Sequence, residues 1–332
     1  MNRRFWAVVR VLAGLGILTV VLWRMGTGAP LAALRSVDAA TLLTALGAGL
    51  ATTVLSARRW CLVAGRLGLR LPLPAAVADY YRALFLNAAL PGGVIGDVHR
   101  AVRHGKDAGD LGRGVRAVVL ERTAGQVALI AVGGAALLAD TSLFRHGGVF
   151  PMGSVLVALV AVLGAAAIVL AVAARRGRYA ARLRRALAAT VTDLGRGLLA
   201  RDTWPRVAAL SLAVLAGHLG LFLVAARVAG SRAPVTQLVP LLLLALLAMA
   251  LPVNIGGWGP REGTLALAFH SAGLSPEQGL AVSVVYGVLT FVSSLPGAGV
   301  LLLRQVRPLP SGAEVELQER VLPEREAAHR GS

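Results

Sequence analysis

Two stretches of this 332-residue chain set arginine beside carboxylate, glycine and proline within sequence that is otherwise apolar. The first runs Ala89-Leu90-Pro91-Gly92-Gly93-Val94-Ile95-Gly96-Asp97-Val98-His99-Arg100. The second runs Ala250-Leu251-Pro252-Val253-Asn254-Ile255-Gly256-Gly257-Trp258-Gly259-Pro260-Arg261-Glu262. At an offset of 161 residues the Ala-Leu-Pro steps, Gly96 with Gly257, and Arg100 with Arg261 coincide. These residue types suit an anion. A guanidinium offers phosphate a planar, bidentate fork of donors. Gly92, Gly93 and Gly96 in one copy, and Gly256 and Gly257 in the other, permit positive φ and close approach of backbone to a ligand. Pro91 and Pro252 interrupt the preceding helix, and a following half-helix then turns its N-terminal N–H groups toward the same point. Asn87 and Asn254 could donate to a phosphate or satisfy the broken backbone. Glycines in membranes also let helices pack closely, which is the alternative reading of the same residues.

Charge at membrane depth sharpens the choice. Asp79, Arg82, Asp97, Arg100, Glu121, Arg122, Arg261 and Glu262 fall within or at the edges of apolar segments. An ionised side chain there costs at least about 2.5–3.5 kcal/mol on insertion scales, so it persists when paired or when it faces a wet cavity. Opposite signs lie close together: Asp97 with Arg100 three residues on, Glu121 with Arg122, and Arg261 with Glu262. Pairing across the two motifs, Asp97 or Glu121 with Arg261 and Glu262 with Arg100, would neutralise a central site. Buried bridges that only fix helix packing are the competing account of these charges.

The elements that position these residues follow from composition. Hydrophobic residues make up 56% of the chain and its mean hydropathy is +0.71, which describes a polytopic, all-α membrane protein and excludes a soluble domain. A bilayer core about 30 Å thick needs about 20 apolar residues in helical form. Six segments meet that requirement: 5–23, 39–57, 118–139, 151–174, 207–226 and 279–303. The first reads as a retained signal anchor, being longer than the apolar region of a cleaved signal and followed at once by Arg24. The net charge of +18 reflects topology and contact with anionic lipid, and calls for no nucleic-acid partner. With the N-terminus in the cytoplasm, 25 Lys and Arg residues fall in cytoplasmic loops and termini and five outside. That imbalance predicts cytoplasmic N- and C-termini in a cell-membrane protein.

Two apolar stretches do not fit as simple crossings. Residues 75–97 start and end beside cytoplasmic basic loops, and 234–272 starts and ends outside if there are six crossings. Each is expected to enter the membrane and return, turning at its Leu-Pro…Gly segment. One dips from the cytoplasm and the other from outside, the inverted-repeat arrangement of secondary transporters. Ordinary helices with a proline kink are the alternative. Residues 175–200 read as a basic amphipathic helix on the inner membrane surface. Residues 1–305 form the membrane domain, and 306–332 read as a short disordered cytoplasmic tail.

The Arg82…Asn87…Leu90-Pro91-Gly92-Gly93…Gly96-Asp97…Arg100 segment is followed by Glu121-Arg122-Thr123-Ala124-Gly125 and by Pro252-Val253-Asn254-Ile255-Gly256-Gly257-Trp258-Gly259-Pro260-Arg261-Glu262-Gly263. Together they resemble the membrane domain of lysylphosphatidylglycerol synthases and its stand-alone, flippase-like relatives, from about residue 5 to about residue 305. The resemblance implies translocation or handling of lipid. It does not extend to the aminoacyl transferase activity, which resides in a separate soluble domain.

Three readings stand at this point. The first is a translocator of an anionic phospholipid, with no cofactor or metal, whose headgroup is received between the two broken hairpins. The second is a membrane enzyme acting on a lipid-linked or polyprenyl-phosphate substrate, with Asp97, Glu121 or Glu262 as base. The third is a non-catalytic membrane partner of a biosynthetic enzyme. No phosphate loop, nucleophile elbow, H-E-x-x-H helix or dinucleotide fingerprint occurs, which leaves ATP drive and common hydrolase chemistry without support. No His, Cys and carboxylate spacing forms a metal set. His218 reads as a contact between helices, and the single cysteine, Cys61, as a packed thiol.

Overall fold

The computed structural model describes residues 28–90, 93–139, 188–195, 198, 200–249 and 259–306. These are helical throughout, with no strand among the described residues. In chain order the helices are α1 (Gly28–Arg35), α2 (Ala39–Arg66), α3 (Leu73–Ala89), α4 (Ile95–Asp107) and α5 (Leu111–Ala139). They continue with α6 (Trp204–Val228), α7 (Val235–Met249), α8 (Pro260–Ser271), α9 (Pro276–Ser294) and α10 (Pro296–Val306). A further helical stretch covers 188–195.

Local sequence explains where several begin. Asp38 caps α2, its carboxylate accepting the Thr41 N–H at 2.8 Å and the Thr41 hydroxyl at 2.6 Å. Ser275 caps α9 by accepting the Gln278 N–H at 3.3 Å. Proline stands in the first turn of α3, α6, α8 and α9, where its missing N–H has no partner to lose. Leu295 separates α9 from α10 just ahead of Pro296, so the expected segment 279–303 is two helices in one line of sequence.

Among the described residues three stretches are long and apolar enough to cross a bilayer: Ala39–Arg66, Trp204–Val228 and Pro276–Leu303. In the second, only 28% of the most apolar window is buried inside the protein although its mean hydropathy is 2.3. Leu43, Leu50 and Leu212 on these helices are exposed. Such faces suit hydrocarbon and not water. They agree with the segments expected at 39–57, 207–226 and 279–303. The segment expected at 118–139 lies in α5, a helix of 29 residues that carries Glu121 and Arg122. The segments 5–23 and 151–174, the tail 306–332 apart from Val306, and most of 175–200 lie outside the described residues.

Between the long helices the chain folds into two helical hairpins. In the first, α3 packs against α4, and residues 90–94 join them. A Cβ on Gly96 would lie 2.1 Å from the Ala83 carbonyl oxygen, so only glycine lets the two arms meet this closely. In the second, α7 packs against α8, and the turn, with Asn254, Gly256 and Gly257, lies outside the described residues. Helices α7 and α8 fall within the residues 234–272. The first hairpin does not end at residue 97 as expected, because its second arm runs on to Asp107. The charges after Asp97 look like a loop in sequence. In the fold they lie along an amphipathic helix whose buried face includes Gly96, Arg100, Ala101, His104 and Gly105.

The order of long helix, hairpin and long helix therefore occurs twice, as α2–α5 and as α6–α9. Contacts tie the halves together: α2 runs along α6 and α9, and α5 along α6 and α7. The larger apolar core gathers Phe222, Leu238, Leu241, Phe269 and Tyr286, whose ring stacks on that of Phe222 at 3.7 Å between centroids. A second core, around Trp60, Val63, Tyr80 and Val118, lies within the first half and reaches Val207 of α6.

Candidate functional site: a charged cluster beside an internal cavity

Arg59, on α2, sits on the same helical stripe as Thr52, Ser56 and Val63, and all four are buried. Its neighbour Arg58 is exposed. The Arg59 guanidinium reaches α5, donating to Glu121 Oε1 through Nε at 3.0 Å and Nη2 at 2.5 Å. It also donates through Nη1 to the Ser211 hydroxyl of α6 at 2.9 Å. A Cβ at Gly125 would come 3.1 Å from this guanidinium, so the glycine one turn after Glu121 leaves the space it occupies.

Glu121 is fully buried and shared. Its Oε1 also accepts the Tyr80 hydroxyl at 3.2 Å, and its Oε2 accepts Arg100 Nη2 at 2.7 Å. Arg100 donates its Nε to Asp97 Oδ1 at 3.0 Å and lies over the rings of Tyr80 and Trp60, 4.3 and 4.7 Å from their centroids. Those aromatic faces stand where its Nη1 finds no hydrogen-bond acceptor among the described residues. Asp97 Oδ2 accepts from Asn87 Nδ2 at 2.9 Å and is paired with Arg122. Asn87 in turn accepts the Gly96 N–H at 2.7 Å, which ties the last turn of α3 to the first turn of α4. Three guanidinium groups and two carboxylates are thus joined in one chain of bonds from Arg59 to Arg122.

The cluster borders a cavity of about 370 Å³. The first hairpin contributes Asn87 and Gly93 to its wall, the second Leu246 and Met249. Arg59 and Arg122 supply its positive charge, and His218 of α6 and Tyr286 of α9 face them, with Tyr286 Oη 3.3 Å from His218 Nδ1. Arg122 is the accessible cation, its side chain 44% exposed, whereas the Glu121 side chain is fully enclosed. Leu129, Leu215 and Phe291 add apolar surface to the wall. A wall that combines polar donors with hydrocarbon matches an amphiphile in kind.

The remaining residues marked out in the sequence occupy other places. Arg82 pairs with Asp79 at 3.2 Å, and Asp79 also lies 3.8 Å from Arg103. Arg261 donates to Glu262 Oε1 and, through Nε, to the Ser283 hydroxyl at 2.8 Å, and lies over the Tyr286 ring at 5.5 Å. Glu262 reaches back to accept the Gly259 N–H at 2.6 Å, at a residue whose φ of 105° favours glycine. Neither Arg100 nor Arg261 is among the cavity's lining residues. The pairs expected across the two motifs are replaced by closer partners: Arg100 with Asp97 and Glu121, Arg261 with Glu262. Gly92, Asn254, Gly256 and Gly257 lie outside the described residues. Among the described residues no group of three or more His, Cys, Asp or Glu side chains is placed to hold a metal ion.

Sequence reasoning missed Arg59 and Ser211. Arg59 stands beside Arg58 at the end of an apolar run, like a loop charge, and its spacing from Thr52 and Ser56 on a helical period was the available signal. Ser211 lies in an apolar run with nothing in its surroundings to distinguish it.

Long apolar helices whose faces suit hydrocarbon, folded with helical hairpins around an internal charged cavity, define a helical membrane protein. The chain belongs to the family described as the lysylphosphatidylglycerol synthase TM region, which matches residues 7–297. None of the curated proteins compared with it matches.

Proposed function

We propose that this protein moves an anionic phospholipid between the leaflets of the cell membrane, receiving the headgroup in the cavity between its two hairpins, without enzymatic conversion of the lipid. The observation that carries this reading is the cavity itself, walled by both hairpins and presenting Arg59 and Arg122 to its interior. Membership of a lipid-related membrane family supports it. Helix lengths support a re-entrant course for the hairpins. At about 1.5 Å per residue the arms of 17, 13, 15 and 12 residues extend only about 18–26 Å. A bilayer core of about 30 Å is longer than any of them. The doubled order of elements supports an inverted repeat, with the first hairpin entering from the cytoplasm and the second from outside.

The test is transport by the full chain in liposomes. Phosphatidylglycerol labelled on an acyl chain should equilibrate between leaflets, as read by an impermeant quencher. Arg122→Ala should slow it by about tenfold or more, since a charge-assisted bond to phosphate contributes about 1.5–3 kcal/mol. Equal rates in wild type and Arg122→Ala would remove the cavity from the proposal. Conversion of the lipid to a new species on a chromatogram would turn the reading to an enzyme.

A further inference from the structure

The cavity wall holds one titratable side chain that headgroup binding does not use. His218, on α6, lines the wall with Arg59 and Arg122, and Tyr286 Oη stands 3.3 Å from its Nδ1. Arginine does not give up its proton in a protein, and tyrosine ordinarily ionises only near about pH 10. Histidine changes charge between about pH 5 and 8. Asp, Glu, Lys and Cys do not occur among the described lining residues. A proton exchanged by this part of the wall near neutral pH therefore goes on or off His218.

The surroundings of the ring fit both of its protonation states. The Tyr286 hydroxyl can donate to Nδ1 of the neutral imidazole and, after rotation of its O–H bond, accept from Nδ1–H of the imidazolium. No heavy atom has to move. Tyr286 is itself fixed, its ring stacked on Phe222 at 3.7 Å between centroids and lying 5.5 Å from the Arg261 guanidinium. One residue before His218, Gly217 lets α6 close onto α2, since a Cβ there would lie 2.4 Å from Thr52 Cγ2. Helix α6 packs against α2, α5, α7 and α9. These bring Arg59 from α2, Arg122 from α5 and Tyr286 from α9 to the cavity, and only apolar side chains from α7. Protonation of His218 places a third cation on the wall, and a phosphate in the cavity supplies the counter-charge.

We infer that His218, seated on the Tyr286 hydroxyl, binds a proton when lipid phosphate fills the cavity and releases it when the cavity empties, so that one proton crosses the membrane with each lipid. The inference rests on the translocation reading and adds the proton as a second ligand. It needs only the phosphate, which every glycerophospholipid carries whatever else its headgroup bears. Phosphate and proton each favour the binding of the other, and the coupling is reciprocal. The proton comes from water on the side where lipid enters, rests on an imidazole nitrogen, and returns to water on the side where lipid leaves. A pH gradient across the membrane then drives lipid toward the less acidic side.

Liposomes carrying the full chain test it, with acyl-labelled phosphatidylglycerol as the probe and the membrane potential held at zero by potassium and valinomycin. A lumen one pH unit more acidic than the outside should enrich the probe in the outer leaflet, by up to about tenfold at one proton per lipid. Without the gradient the probe should distribute equally. A histidine that only joins α6 to α9 would give no enrichment in wild type. His218→Gln keeps a polar side chain on α6 and loses the titration, so its probe should distribute equally at either lumen pH. Tyr286→Phe keeps the stack on Phe222, removes the hydroxyl and should lower the enrichment. Should His218→Gln fail to stay monodisperse in detergent, His218→Asn replaces it. Equal distribution in wild type under the gradient, or full enrichment in the His218 variant, overturns the proton site and leaves translocation standing. If wild type moves no probe, the translocation reading fails, and proton uptake on binding decides the proton site. Short-chain phosphatidylglycerol added to the protein in weakly buffered detergent should raise the pH with wild type and not with the His218 variant. No uptake by wild type overturns the site.

Discussion

Glu121 accepts from two guanidinium groups and a phenol, so its loss strands Arg59 and Arg100 inside the protein with one fewer carboxylate between them. Breaking a buried pair by removing one partner costs about 3–5 kcal/mol, more than the pair itself contributes. Glu121→Ala should therefore lower the thermal unfolding temperature sharply in detergent. Arg122→Gln should lower it little, by the equivalent of about 0–1 kcal/mol, because a half-exposed ion pair adds little to stability. Similar losses in the two variants would show that Arg122 holds the fold together as Glu121 does. Arg122, Glu121, Asp97 and Arg100 were all legible as charges at membrane depth. Arg59 was not, because two adjacent arginines at the end of an apolar run look like one cytoplasmic basic patch. Only the helical phase of α2, which turns Arg58 outward and Arg59 inward, separates them.

At the scale of elements, the first hairpin has a consequence for accessibility. If its arms stop short of the far leaflet, the turn at 90–94 ends inside the membrane, with Leu90 38% exposed at its edge. In a Cys61→Ser background, Leu90→Cys should react poorly with an impermeant maleimide applied from outside the cell. Rapid labelling from outside would mean that α3 and α4 are full crossings. The end of α3 at Ala89 was readable from the Pro91-Gly92-Gly93 run, since proline followed by glycines disfavours continuation of a helix. The hairpin's extension to Asp107 was not. A helix with a charged face and a helix-breaking loop share the same composition, and the difference lies in partners such as Asp79 and Glu121 on neighbouring helices.

For the whole molecule, the excess of basic residues in the expected cytoplasmic loops predicts that the C-terminus is cytoplasmic. A fluorescent protein fused after Ser332 should fluoresce in cells, and alkaline phosphatase at the same position should be inactive; the opposite pair of results would reverse the topology. The burial of Arg59 and Arg100 removes two charges from that count without altering its direction. The amino-acid sequence alone determined the membrane class, the doubled Leu-Pro…Gly…Arg motif and the family, because hydropathy, proline and glycine act locally and are written in consecutive residues. The tertiary structure decided which cations meet the cavity. It joined α2, α3, α4 and α5 so that Arg100 is consumed by Asp97 and Glu121, and it drew Arg261 to Glu262 and Ser283. Arg122 was left facing the interior beside Arg59. Pairing among buried charges is settled by distances of about 3 Å between side chains from separate helices, well below the reach of any spacing along the chain.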